Sequence, residues 1–337
     1  MKRIGFLSFG HWSDAPGSLV RTASDALVQT IELAEAAEEV GVHGAYVRVH
    51  HFAPQLASPF PLLAAIGART SRIEIGTAVI DMRYENPLAM AESAAAADLI
   101  AGGRLQLGVS RGSPEPADKG YQAFGFVPRD DETDADMARS HTELFRAAIA
   151  GAGVVYSDPE MSGRRVPLAI EPRSETLPDR IWWGAGSRAT AVWAAEQGMN
   201  LMSSTLLTED TGVPLSELQA EQVRLFRETW TRAGHEREPR VSVSRSILPI
   251  IDDETRRYFG LRAQADAHDQ VGHIDGTLAR FGRSYIGEPD AIAEELTQDA
   301  AVHEADTVLV TVPNQLGVDF NARVLESIVR DVAPALG

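Results

Sequence analysis

Residues 49–112 read VHHFAPQLASPFPLLAAIGARTSRIEIGTAVIDMRYENPLAMAESAAAADLIAGGRLQLGVSRG. Three apolar, strand-like runs, YVRVHH (46–51), IEIGTAV (73–79) and LQLGVSRG (105–112), each end in polar or reactive residues. Two helix-like segments separate them. Strand, helix and strand in alternation make parallel strands, whose C-terminal ends converge on one face. Those ends carry His50 and His51, then Thr77 and Ala78, then Ser110, Arg111 and Gly112. That inventory suits an active site better than a packed interior.

Working outward, eight strands are expected, at 3–9, 44–49, 73–80, 105–110, 181–184, 200–205, 240–250 and 306–312. Helices are expected between most of them, at 24–40, 59–70, 133–150, 187–198, 215–233 and 319–332. Gly41 stands where a C-capping glycine belongs, and Asn86-Pro87 opens a further helix with proline at its first position. Another begins at Glu288-Pro289-Asp290. Eight such units predict a (β/α)8 TIM barrel, an α/β fold spanning 1–337 as one domain. An open doubly wound sheet is disfavoured, because no GxGxxG follows the first strand. Insertions are expected near 151–180, which is rich in Pro and Gly, and near 252–284, a charged stretch with His268 and His273 read as a loop over the site.

The chain has 337 residues, enough for one barrel with insertions, and 44% hydrophobic content supplies a large core. No run approaches the roughly 18 apolar residues of a membrane span, and MKRIGFLSFGHW leads straight into a strand. The expectation is a soluble, cytoplasmic protein. Zero cysteines exclude disulfides, thiolate metal sites and a cysteine nucleophile. A formal charge of −17 argues against nucleic acid and anionic membranes as partners. A small anionic cofactor remains compatible, since a local arginine overrides a diffuse field screened over about 8–10 Å.

Arg111, just past the fourth strand, is either a phosphate ligand making two charge-assisted bonds, with Gly112 permitting close approach, or half of a rim salt bridge. Gly184-Ala185-Gly186-Ser187-Arg188-Ala189-Thr190 is either an anion cradle at a helix start or an ordinary N-cap by Ser187. Its place beside Arg111 favours the cradle. Thr77, Ala78 and Val79 read simply as buried strand. The His50-His51 pair puts one ring inward and one outward. A metal site from His50, His51 and His11 lacks a carboxylate at ligand spacing, so no metal is expected. His11 and Trp12, one of Trp182 and Trp183, and Tyr121 and Phe124 are further pocket candidates. His43, His235 and His303 fall at the opposite barrel end.

The HHF after the second strand, GTAV in the third, NPLAMAE opening the next helix, and GGRLQLGVSRG occur in the order found in one family. The chain resembles the bacterial-luciferase-like, alkanal monooxygenase-like flavin-dependent monooxygenases, over nearly its whole length and more weakly after about residue 245. The resemblance implies a TIM barrel that takes reduced FMN from a separate flavin reductase and uses O2 to oxidise a small organic substrate. It implies that Arg111, Ser187 and Thr190 hold the phosphate, with Ser110 and Gly186 beside it. A non-proline cis peptide at Ala78–Val79, following Thr77, would form a bulge beneath the flavin ring. His50 corresponds to the catalytic histidine, with an imidazole suited to proton transfer near neutral pH. A homodimer through helices of the N-terminal units is also implied. The same barrel carries F420-dependent oxidoreductases and non-catalytic flavin-binding proteins, which are the alternatives. Departures include Ser110 in place of a reactive cysteine, Gly186 and Val49 in place of acidic residues, and Asp81-Met82 where Leu-Pro is common. They put light emission and long-aldehyde specificity in doubt.

Overall fold

A computed structural model describes residues 2–112, 117–208, 212–263, 266–274 and 277–337. Eight strands form its centre: β1 (Arg3–Ser8), β2 (Gly44–Val47), β3 (Glu74–Asp81), β4 (Leu105–Ser110), β5 (Ile181–Ala185), β6 (Asn200–Ser203), β7 (Val241–Pro249) and β8 (Thr307–Val312). Each pairs in parallel with its neighbour in chain order. The ring closes where β1 meets β8 in the register Arg3↔Thr307 to Ser8↔Val312. This is the closed parallel barrel that the βα period predicts, and the open sheet is excluded.

The outer helices begin where local chemistry satisfies their first N–H groups. Thr22 and Asp25 form a capping box for α1 (Ala23–Glu39), and Asn86 caps α3 (Pro87–Ile100) ahead of its first-position proline. Helix α2 (Pro59–Arg69) likewise starts on proline. Thr133 and Asp136 cap α4 (Asp134–Ile149), and Ser187 and Thr190 cap α5 (Arg188–Glu196). The longest helix, α6 (Leu215–Ala233), follows β6. Gly41 adopts φ +88 just beyond α1, the left-handed conformation of a C-terminal cap.

Period-2 alternation divides the strand side chains between two cores. Phe6, Leu107 and Trp183 face the helices, while Leu7, Tyr46, Trp182, Met202 and Leu309 fill the barrel interior. Below them the interior is polar. Glu74 accepts two bonds from Arg240 at 2.9 and 3.0 Å and one from Gln106 at 3.3 Å, while the Trp182 indole donates to Gln106 at 2.8 Å. This layer and the apolar one above it fill the barrel beneath its C-terminal mouth.

The stretch 154–180 contains a short antiparallel pair, Val155–Tyr156 with Pro167–Leu168. Within 252–284, residues 264–265 and 275–276 lie outside the described residues. The remainder is more regular than its sequence suggests: a helix at Asp253–Phe259, then a hairpin of Gln270–Ile274 and Thr277–Phe281. Its second strand pairs with Leu206–Leu207, and Ser284–Gly287 adds to β7. Among the described residues no helix is long and apolar enough to cross a membrane.

Candidate active site

A cavity of about 930 Å³ opens at the C-terminal mouth of the barrel. Of the residues singled out from sequence, Ala78, Val79, Ser110, Arg111, Gly186, Ser187 and Thr190 line it together, with Gly112, Tyr121 and Trp183. Thr77 and His50 are not among the lining residues. Thr77 is fully buried and donates its hydroxyl to the Gly108 carbonyl at 2.8 Å, tying β3 to β4. The Ala78–Val79 peptide is cis, and the β3–β4 register shifts between Thr77 and Ile80.

Beyond β4 the chain turns sharply. The Gly112 N–H donates to Ser110 Oγ at 2.8 Å, and Gly112 adopts φ +85. A Cβ there would strike the Asp81 carboxylate, so both conformation and space demand glycine. Arg111 is thereby held exposed at the cavity wall and forms no ion pair among the described residues. The nearby Arg83 is the opposite case. It binds Asp81 at 2.7 Å and Asp134 at 2.7 Å. Burial alone would lower the Arg83 pKa, but the two carboxylates overcome it and raise the group above its ordinary value. The rim salt bridge thus belongs to Arg83, and Arg111 remains a cation facing the cavity.

Across the mouth, Ser187 caps α5 and faces the cavity at once. Its main-chain N–H donates to Thr190 Oγ1 at 3.2 Å, and Thr190 donates to the Ser187 carbonyl at 2.9 Å. The two readings of this stretch, N-cap and cavity-facing cradle, coexist. A Cβ on Gly186 would meet nothing closer than the Leu206 carbonyl at 4.0 Å, so the cradle is open on that side. Small residues, two hydroxyls and a helix start opposite an arginine with no ion pair among the described residues form a donor set that fits a phosphate monoester.

Beyond β2, Arg48 and Val49 line the cavity. His50 is buried at 9% exposure, its N–H donating to the Leu56 carbonyl at 2.8 Å. His51 stacks on Tyr84 with centroids 4.1 Å apart, and Phe124 meets that pair edge-on. Tyr84 lines the cavity but escaped the sequence reading; its only signal was its place after β3. Arg48 escaped too. It lies over the Phe9 ring at 4.9 Å. Burial first, and the Arg48 guanidinium second, push the His11 imidazole below its ordinary value. Trp182 is sealed inside the barrel, whereas Trp183 packs edge-on against Trp193 on the helix side.

The luciferase-like monooxygenase model matches residues 1–305. The chain belongs to that family. Among its relatives is the uncharacterized protein y4wF of Sinorhizobium fredii, 30% identical over 203 residues. That match covers 59% of this chain and 56% of y4wF, so the chain spans little more than half of that relative's length. The N-acetyl-S-alkylcysteine monooxygenase of Bacillus subtilis is 23% identical over 314 residues, 88% of this chain and 90% of that protein. Two solved structures share the fold at 16% identity. One is the oxygenating constituent of 3,6-diketocamphane monooxygenase of Pseudomonas putida in complex with FMN, with a TM-score of 0.72 over 99% of each chain. The other is the coenzyme F420 dependent tetrahydromethanopterin reductase of Methanopyrus kandleri, with a TM-score of 0.67 over 100% of this chain and 99% of that one.

Proposed function

We propose that the protein binds FMN across the ends of β4 and β5 and oxygenates a small organic substrate in the barrel mouth. The observation that carries this reading is Arg111, a cation with no ion pair among the described residues, lining one cavity with the Ser187–Thr190 cradle. Arg111 would hold the phosphate, with Ser187, Thr190 and the main chain at Gly186 beside it. Ala78, Val79 and Ser110 would support the ring. Bound in its reduced form, the flavin would supply the electrons with which O2 is activated. A separate reductase delivers that reduced flavin, in keeping with the family resemblance.

His50 is proposed to move a proton between the barrel mouth and its own imidazole, from a buried position one residue beyond the lining residue Val49. The resemblance also supports a homodimer, and Leu99 and Ile100 leave apolar surface at the end of α3, 52% and 53% exposed. Sedimentation of a monomer at micromolar concentration would remove the dimer.

Titration of FMN into the parent and Arg111→Ala tests the site. Loss of a charge-assisted contact costs about 1.5–3 kcal/mol, or roughly ten- to a hundredfold in affinity. An Arg111→Ala variant that binds FMN like the parent rejects the assignment. Oxygen uptake with a reductase and a panel of aldehydes, ketones, and sulfur and nitrogen compounds tests the chemistry. His50→Ala should lower product formation by about 10²–10⁴ while leaving FMN affinity unchanged. Unchanged turnover removes His50 from the mechanism. Binding of F420 in place of FMN, without substrate-dependent oxygen uptake, moves the reading to an F420-dependent oxidoreductase.

A further inference from the structure

Behind the cradle lies a chain of buried polar side chains that none of the chemistry above uses. Helix α6 presents Gln219 and Gln222 on one face, three residues apart, and both are fully buried. The Gln222 amide nitrogen donates to the carbonyls of Ala185 at 3.3 Å and Ser187 at 3.0 Å, while its oxygen accepts from the Ser203 hydroxyl at 2.5 Å. The Gln219 nitrogen donates to Ser203 Oγ at 3.1 Å and the Ser204 carbonyl at 2.8 Å. Its oxygen accepts from Arg245 at 2.9 Å. Arg245 in turn binds both oxygens of Asp299, at 2.7 and 2.9 Å, and the Tyr285 hydroxyl donates to Asp299 at 2.6 Å.

Amide orientation is forced at both glutamines. Two carbonyls face the Gln222 nitrogen, and a guanidinium faces the Gln219 oxygen, so flipping either would set like against like. Ser203 lines the cavity, yet its proton is committed to Gln222, which leaves it only as an acceptor toward the cavity. A phosphate gains nothing from it.

The consequence for the cradle follows from peptide planarity. In a trans peptide the carbonyl and the next N–H point in opposite directions. The Ala185 carbonyl takes the Ser204 N–H at 3.1 Å and the Gln222 amide at 3.3 Å, which together turn the Gly186 N–H the other way, and no described residue accepts that N–H. The Ser187 carbonyl, already held by the Ala191 N–H at 3.2 Å and the Thr190 hydroxyl at 2.9 Å, takes Gln222 as a third donor, so Gln222 ties both ends of the Gly186–Ser187 segment to α6. Resting on the reading of the cradle as the FMN phosphate subsite, we infer that Gln222 is a positioning residue for that subsite. Gln219 and the Arg245–Asp299 pair hold Gln222 and its partner Ser203 in place from behind.

A phosphate-specific readout separates this role from general support of the fold. The full chain, as the parent, Gln222→Met and Gln219→Met, is titrated with FMN and with riboflavin, which carries the same ring without the phosphate. Gln222→Met is expected to lower the FMN-to-riboflavin affinity ratio by roughly tenfold, with riboflavin affinity unchanged. Gln219→Met, one step further back, should lower the ratio less. A Gln222→Met protein that keeps the parent ratio, or that weakens both ligands equally, overturns the positioning role. Should Gln222→Met fail to fold, Gln219→Met decides: a lowered ratio supports the role and an unchanged one overturns it. A parent that binds FMN no better than riboflavin overturns the cradle reading itself, and the positioning role with it.

Discussion

Two polar clusters flank β5 and β6, and they are built on opposite principles. On the cavity side, Arg111 is exposed with no ion pair among the described residues, and Ser187 and Thr190 face open volume. On the α6 side, Gln219, Gln222, Arg245 and Asp299 are buried, and each has its partners inside the protein. Burying a polar group is tolerable only when its bonds are made, because an unmade one costs about 1–3 kcal/mol. A group that keeps bonding capacity must therefore face water or a ligand. The difference separates residues that can receive something from residues that hold the receivers still.

Breaking the closed cluster should have the largest effect. Asp299→Ala leaves the buried Arg245 guanidinium without its carboxylate, which costs about 3–5 kcal/mol. Urea denaturation measures this, and a loss below about 1 kcal/mol would mean that water enters the cluster. Arg111→Ala should behave in the reverse way. Its stability should stay within about 0.5 kcal/mol of the parent while FMN binding weakens by about 1.5–3 kcal/mol. Destabilisation as large as that of Asp299→Ala would place Arg111 with the holders.

Glu85 sharpens the comparison because it belongs to neither cluster. It is partly buried and has no cation partner among the described residues. Burial first, and the charge of Asp81 second, raise its carboxyl from 4.5 to about 7. Between those pH values the folded state holds more protons than the unfolded one, so stability falls as pH rises toward 7 and stays lowered above it. Glu85→Gln should then be more stable than the parent at pH 8, with the gap closing below pH 4.5. Equal melting temperatures at pH 8 would contradict the raised pKa. The smallest effect is expected at the cradle itself. Ser187→Ala loses the helix cap at about 1 kcal/mol and Ser187→Gly only a few tenths, as thermal denaturation can show. Equal losses from the two would mean that the cap is not what Ser187 contributes to stability.

Much of the barrel was legible because its signals are local. Leu105–Ser110 and Leu215–Ala233 have the bounds their patterns predict, and Asn86-Pro87 opens α3 as read. Strand β2 stops at Val47, two residues earlier than its apolar run: the Arg48 N–H makes the last bond to β1, to the Ser8 carbonyl at 2.9 Å, and the His50 main-chain N–H turns to Leu56. The stretch 252–284 read poorly for a physical reason. Its hairpin strand is completed by Leu206–Leu207, about seventy residues earlier, and no window of sequence contains that partner.

Residue chemistry and spacing by themselves determined the eight-strand period, the helix caps and the set of side chains at the strand ends, since each depends on neighbours a few positions away. Which of those side chains stay free was decided only in three dimensions. On paper Arg111 is either a phosphate ligand or half of a rim salt bridge, and folding gives Asp81 and Asp134 to Arg83 and open cavity to Arg111. Gln219 and Gln222 are polar residues of the helix expected at 215–233, and folding seals both against β5 and β6. Helical periodicity says which residues share a face. What that face meets is settled by closure of the barrel.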